Sequence, residues 1–422
     1  MSESTITLIL LGFAIVMFIW EKIPLALTSM IVSLALVLTG VLTPGQAFGH
    51  FVNNNVILFV AMFVVGGALF ETGMANRIGG VVTRFAKTER QLIVAVMVVV
   101  GVMSGFLSNT GTAAVMIPVV IGIAAKSGFA RGRLLMPLVF AAAIGGNISL
   151  IGAPGNLMGQ TALEEIGMSF GFFEYGLLGV PMLIVGIIFF GIFGPKLLPA
   201  AKDSYPESSF NEKQDFSHVP AWRQNLSLVI LVLTLLAMIF DTQIGQPIHV
   251  SGSVGAILLV LCRVITEKQA FNSIDMKVIF LFGGTLALAQ ALDISGAGAN
   301  IATGVIDALG ANASPFILLA AIFTIAMVLT NFMSNTATTA LLVPISMSIA
   351  QTIGADPRAV IMATVIGGSM AYATPIGMPA NTMVLSVGGY KFRDYVKAGL
   401  PLMLVLGVLC LILLPIFFPF FP

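Results

Sequence analysis

Hydrophobic positions run along this chain in long blocks rather than in alternation. Uncharged apolar runs occupy residues 5–20, 24–42, 56–71, 134–150, 176–195, 224–241, 250–262, 278–292, 359–373 and 398–420. A helix needs about 20 residues to cross the hydrocarbon core of a bilayer, and several of these runs reach that length only with their flanks. Two further stretches, 91–125 and 315–352, are too long for one helix and turn polar near the middle. The first reads Ser108-Asn109-Thr110-Gly111-Thr112 there, the second Ser334-Asn335-Thr336-Ala337-Thr338-Thr339. An arm such as 91–107 extends about 25 Å at 1.5 Å per residue, enough to pass the bilayer centre. Each stretch reads as a re-entrant helical hairpin with its tip in the membrane, or as two short spans. Segment 196–222, with Asp203, Glu207, Glu212, Lys213 and Asp215, is the one clearly hydrophilic stretch and reads as a solvent-exposed linker.

The two halves resemble each other. Ser108-Asn109-Thr110 and Pro118 match Ser334-Asn335-Thr336 and Pro344 at an offset of 226. Ile144-Gly145-Gly146 matches Ile366-Gly367-Gly368 at 222, while Ile151-Gly152 and Asn156 match Ile376-Gly377 and Asn381 at 225. That difference implies a three-residue insertion in the second half. With five single spans and one hairpin per half, the second half enters the membrane upside down. The expected fold is an all-α polytopic membrane protein of two inverted repeats, 1–195 and 223–422, joined by a cytoplasmic linker at 196–222. Such repeats are a signature of secondary transporters, with the site at the midplane.

Charge placement orients the chain. If both hairpins return to the side they left, 18 of the 19 Lys and Arg residues share one face, and only Arg358 falls on the other. That face is read as cytoplasmic, which puts both termini outside. Across all 422 residues, 58% are hydrophobic and only 9% are charged, whereas soluble domains carry about 25% charged residues. A soluble enzyme, a nucleic-acid binder and a disordered chain are excluded, and long continuous runs disfavour a β-barrel. Cys262 and Cys410 offer no disulfide or metal spacing. His50, His218 and His249 are all read in connecting segments, so no catalytic cluster forms. Residues 5–20 lack a basic leader before them and read as a retained first helix.

The chemistry expected at membrane depth uses hydroxyls, amides and bare backbone, because no Lys, Arg or His lies there. Gly145-Gly146-Asn147 to Gly155-Asn156 breaks one span, and Gly367-Gly368 to Pro379-Ala380-Asn381 breaks its counterpart. Broken helices at this depth line protein cavities. Their N-termini carry partial positive charge and free N–H groups that suit an anion, while freed carbonyls and Ser/Asn side chains suit a desolvated Na⁺. Glu71 and Asp293 read as interface or capping carboxylates rather than a proton relay. The basic stretch Arg77–Arg90 reads as an interfacial amphipathic helix.

The paired Ser-Asn-Thr tips, followed by IGGNISLIGAPGN and IGGSMAYATPIGMPAN, resemble the divalent anion/sodium symporter family of dicarboxylate transporters, over nearly the whole chain from about residue 24. The resemblance implies a homodimer in which a transport domain carries the site past a fixed scaffold like an elevator. It implies two Na⁺ sites, one at Ser104, Ser108, Asn109 and Gly152, the other at Thr330, Met333, Asn335 and Gly377. Substrate carboxylates would meet Asn109, Thr110, Asn335 and Thr336, beside the loop residues Ala153, Met378 and Pro379. Relatives commonly place a Thr where Ala153 and Met378 stand here. Loss of both hydroxyls predicts a substrate with apolar surface or bulk in place of a C4-dicarboxylate such as succinate. The resulting expectation is Na⁺-coupled symport of a di- or tricarboxylate in a bacterial or archaeal inner membrane, with lipid as the surrounding partner. An anion exchanger, or a sulfate, arsenite or Na⁺/H⁺ carrier of the wider superfamily, is the alternative. A channel is disfavoured, since no ring of repeated filter residues is present.

Overall fold

The computed structural model describes residues 1–20, 22–80, 88–199, 216, 219–309 and 314–420. Most of the expected linker, with Lys213 and His218, lies outside the described residues, as do residues 81–87 of the basic stretch. The first half holds α1 (Glu3–Trp20), α2 (Leu25–Leu38), α3 (Pro44–Gly49), α4 (Asn54–Glu71), α5 (Met74–Gly80), α6 (Glu89–Ser104), α7 (Asn109–Ser127), α8 (Leu135–Gly145), α9 (Pro154–Glu164) and α10 (Gly176–Leu197). The second holds α11 (Ala221–Ile239), α12 (Asp241–Ile244), α13 (Ile248–Leu261), α14 (Glu267–Asn272), α15 (Met276–Ile294), α16 (Ala297–Leu309), α17 (Pro315–Leu329), α18 (Asn335–Ile353), α19 (Pro357–Gly368), α20 (Pro379–Val387) and α21 (Phe392–Phe417). No strand occurs among the described residues.

Seven helical segments there are long and apolar enough to cross a membrane: Glu3–Trp20, Pro44–Glu71, Gly176–Leu197, Ala221–Ile239, Met276–Ile294, Asn335–Ile353 and Phe392–Phe417. The sequence reading expected ten spans. The runs at 24–42, 134–150, 250–262 and 359–373 form helices of only 14, 11, 14 and 12 residues. Backbone chemistry shortens them. α8 stops at Gly146 and its course resumes as α9, with Pro154 at the first helical position. Pro has no N–H to lose there, so it starts helices well. α19 stops at Ser369 and resumes as α20 behind Pro379 in the same way. His249 lies in the first turn of α13 rather than in a connection, and His50 opens the short 3₁₀ turn His50–Val52.

Large apolar side chains stay exposed along outer helix faces, among them Leu38, Leu233, Leu261, Val408 and Ile416. Such a surface is the mark of contact with lipid, and the chain is an integral membrane protein. Inside, α4 packs on α13 and α15 on α2, while α6 packs on α8 and α17 on α19. A separate apolar cluster joins α1, α2 and α15 to Met333, Ala337 and Leu341 beside the second polar tip. The half-buried Arg358, alone on its face in the charge reading, pairs with Glu174.

Candidate functional site

Both polar tips are built the same way. α6 ends at Ser104 and α7 begins at Asn109, with the Ser108 hydroxyl accepting from Gly111 N at 3.1 Å. α17 ends at Leu329 and α18 begins at Asn335, with the Ser334 hydroxyl accepting from Ala337 N at 3.2 Å. In each Ser-Asn-Thr tripeptide, then, Ser is the helix cap, and Asn and Thr hold the first two helical positions. Asn and Thr present side chains where the helix's N–H groups are unpaired.

Behind each tip a hydroxyl ties hairpin to broken helix. Ser104 Oγ donates to Ala142 O at 2.7 Å, and Thr330 Oγ1 donates to Gly368 O at 2.6 Å. Thr330 Oγ1 also lies 2.7 Å from Asn335 Oδ1. The Asn109 amide satisfies its surroundings with its NH₂ turned to Ala142 O, Ser104 Oγ and Gly152 O, at 3.2, 2.8 and 3.1 Å. The loops between the helix pieces are pinned from the far side. Asn156 Nδ2 donates to Gly146 O and Ser149 O, and Asn381 Nδ2 donates to Ala371 O and Thr374 O. Tyr175 and Tyr395 then donate to the carbonyls of Asn156 and Asn381. Gly152 and Gly377 let the loops touch the hairpins: a Cβ at Gly377 would stand 2.2 Å from Thr330 O, and one at Gly152 would stand 3.0 Å from Gly105 O. The hydroxyl bonds of Ser104 and Thr330 relate the halves at an offset of 226 and the amide bonds of Asn156 and Asn381 at 225, so the Gly145-Gly146 and Gly367-Gly368 pairs, matched at 222 by sequence, are not equivalent in place. The register change is one residue, not a three-residue insertion.

The sequence-predicted residues fall into two layers. Asn109, Thr110, Ala153, Asn335, Thr336, Met378 and Pro379 all line one cavity of about 330 Å³. Ser104, Gly152, Thr330, Met333 and Gly377 lie behind it, with Ser104, Thr330 and Met333 fully buried. Ser108 lines the cavity while capping its helix. Ala153 and Met378 occupy the same position, each the extended N-cap of its helix piece, at φ −141° and −142°. Neither side chain caps, so the N-termini of α9 and α20 stay undressed. The N-termini of α7, α9, α18 and α20 therefore converge on one cavity. Each carries about half an elementary positive charge.

Sequence reasoning missed the rest of the wall. Phe63 of α4 and Ser273, Asp275 and Val278 around the start of α15 close the cavity opposite the tips, and Thr339 and Ser369 add hydroxyls. Thr339 was marked only as part of the second tip, and its counterpart by offset is Ala113. Ser369 sits inside the second broken-span motif, whereas Phe63, Ser273, Asp275 and Val278 carry no local motif, because folding alone brings them there. A second cavity, about 230 Å³, shares Phe63, Ser108, Gly111 and Ser273 with the first and continues to Glu71. A third, about 350 Å³, holds His50, Glu165, Gln290 and Asp293 and none of the Ser-Asn-Thr residues.

Comparison with known proteins adds the family. The sequence profile described as "Citrate transporter" matches residues 15–367. The uncharacterized transporter YfbS of Escherichia coli is 22% identical across 97% of this chain and 98% of its own. The sodium-dependent dicarboxylate transporter SdcS of Staphylococcus aureus (strain USA300) is 24% identical across 93% of this chain and 82% of its own. Among solved structures, the Alcanivorax borkumensis YdaH transporter shares the fold with a TM-score of 0.63 at 14% identity, covering 99% of both chains.

Proposed function

The chain belongs to the citrate transporter family, whose members are transporters and not enzymes, and from that premise we propose that it is a Na⁺-coupled symporter of di- or tricarboxylate anions. One observation carries the reading. Four helix N-termini meet at a cavity that no Lys, Arg or His lines among the described residues. An anion there is met by N–H groups, amides and hydroxyls held in place before it arrives, an arrangement suited to carboxylates. Cation coupling follows from the layer behind. Ser104 Oγ, Ala142 O and Gly152 O crowd the Asn109 amide, and rotating that amide adds a further oxygen to a set of hard ligands. Thr330, Asn335 and Gly377, with the Met333 carbonyl, supply the second set. Because each Asn touches both layers, cation and anion binding are linked.

The matching hydrogen bonds of the halves support two inverted repeats of five spans and a hairpin each. In our reading, the two tips and the broken helices move as one body past α2, α4, α13 and α15, which is an elevator motion. The assembly is a homodimer in the inner membrane, with both termini extracytoplasmic. Sodium dependence in SdcS, as its name states, agrees with this coupling.

Binding to the detergent-solubilised protein tests the reading. Isothermal titration with citrate, succinate and sulfate should give heat in Na⁺ medium and none in choline medium. Heat independent of the cation favours the exchanger. The same panel tests the wall at Met378 and Ala153. Succinate should bind weakly to the wild type, and Met378→Thr should improve its affinity by about 1 kcal/mol for the hydrogen bond gained. Ala153→Thr should act in the same direction. Equal succinate affinity in all three proteins places neither residue against the substrate.

A further inference from the structure

On the proposed topology, the face that carries nearly all the Lys and Arg residues holds the loop before α15, where Asp275 lies between Lys268 and Lys277. The basic side chains of that face are nonetheless absent from the cavity. Among the described residues, the central cavity and the one that continues it are lined by two charged groups, Asp275 and Glu71, both acidic. Both are exposed. Asp275 caps α15, its carboxylate accepting from Lys277 N at 3.1 Å and Val278 N at 3.4 Å. Glu71 ends α4 and accepts from Gln269 Nε2 at 2.7 Å. Neither forms an ion pair among the described residues, where the pairs present are Arg133–Glu89 and Arg358–Glu174.

An anion-binding cavity whose mouth holds two carboxylates and no base calls for an account. Helix capping accounts for the charge of Asp275, which suits a helix N-terminus, but not for that of Glu71, which ends α4 where a negative charge is disfavoured. We propose that Asp275 and Glu71 form an electrostatic release gate, which keeps affinity for the anion low while the site faces the basic-loop side. Both residues belong to helices of the fixed body in the elevator reading. The bound anion meets their charge when the carrier brings it to this face and leaves it behind when the carrier moves away. The two carboxylates repel the anion and attract Na⁺, both effects weaken with salt, and saturating Na⁺ isolates the repulsion. The gate rests on the proposed anion transport through this cavity and adds a sidedness that transport alone does not require.

Citrate uptake by inside-out and right-side-out membrane vesicles, with Na⁺ saturating on both sides, tests it. Asp275→Asn keeps the cap and removes the charge, and Glu71→Gln keeps a partner for Gln269. Each should lower the KM for citrate at the basic-loop face by about three- to ten-fold, leaving the other face unchanged, as expected for one nearby screened charge. In the wild type, choline chloride should narrow the difference between the faces, an outcome that needs no variant to fold. An unchanged or raised KM at the basic-loop face in folded variants overturns the gate, and a raised KM would mean that the carboxylates hold a donor of the substrate. An absence of Na⁺-dependent citrate transport in the wild type defeats the underlying reading and the gate together. Transport with equal response at both faces defeats the gate alone.

Discussion

Alanine at Gly377 is expected to abolish transport while the protein still reaches the membrane. The added Cβ would lie 2.2 Å from Thr330 O and 2.6 Å from Ala371 Cβ, and neither can yield as the end of a long side chain would. The loop must retreat from the hairpin, at a cost of about 1–3 kcal/mol by analogy with overpacked cores. Retreat also pulls Gly377 O from Asn335 N, which it meets at 3.1 Å, and so opens the proposed second ion site and the cavity together. Gly152→Ala should act alike on the first half, since its Cβ would stand 3.0 Å from Gly105 O. Gly12→Ala in α1 is the control, because nothing lies within 4 Å of the added atom. Thermal unfolding in detergent should fall for the two loop variants and hold for Gly12→Ala. Full transport by Gly377→Ala would mean that the close contact has no part in the site.

Sodium affinity should be the property most altered by Asn109→Ala and Asn335→Ala. Each change deletes an amide that lies within 3.2 Å of three oxygens in the first half, or 2.7 Å from the Thr330 hydroxyl in the second. A buried polar partner left unmatched costs about 1–3 kcal/mol, so half-saturating Na⁺ should rise on the order of ten-fold. Citrate affinity should fall with it, since each Asn also lines the cavity. The double variant should lose less than the sum of the singles if the two sites act through one substrate, because each single change already forfeits the coupling between them. Unchanged Na⁺ dependence in both single variants would remove the sodium sites from this account.

Much of this site was legible in the sequence because its chemistry is local. Ser, Asn and Thr in a row, inside an apolar stretch, already encode a cap and the start of a helix, and the structure uses Ser108 and Ser334 as caps. Pro154 and Pro379 mark where the broken helices resume. What the sequence hid is of two kinds. Span lengths were overestimated, because apolar character continues through Gly145–Gly146 and Ser369 while the helix does not. The opposite wall was invisible, because Phe63, Ser273, Asp275 and Val278 follow no repeat and share the cavity through tertiary packing alone. The internal match was also misregistered. Identical Gly-Gly letters at 222 outweighed the true hydrogen-bond register, in which Ala142 O and Gly368 O are the equivalent acceptors.

The most direct measurement is uptake of radiolabelled citrate into proteoliposomes holding the purified protein. An inward Na⁺ gradient is imposed, then replaced by K⁺ or choline, with and without a citrate load inside. The account predicts accumulation that needs Na⁺, collapses when a sodium ionophore dissipates the gradient, and occurs without internal citrate. Uptake that is indifferent to Na⁺ and demands internal anion would contradict it.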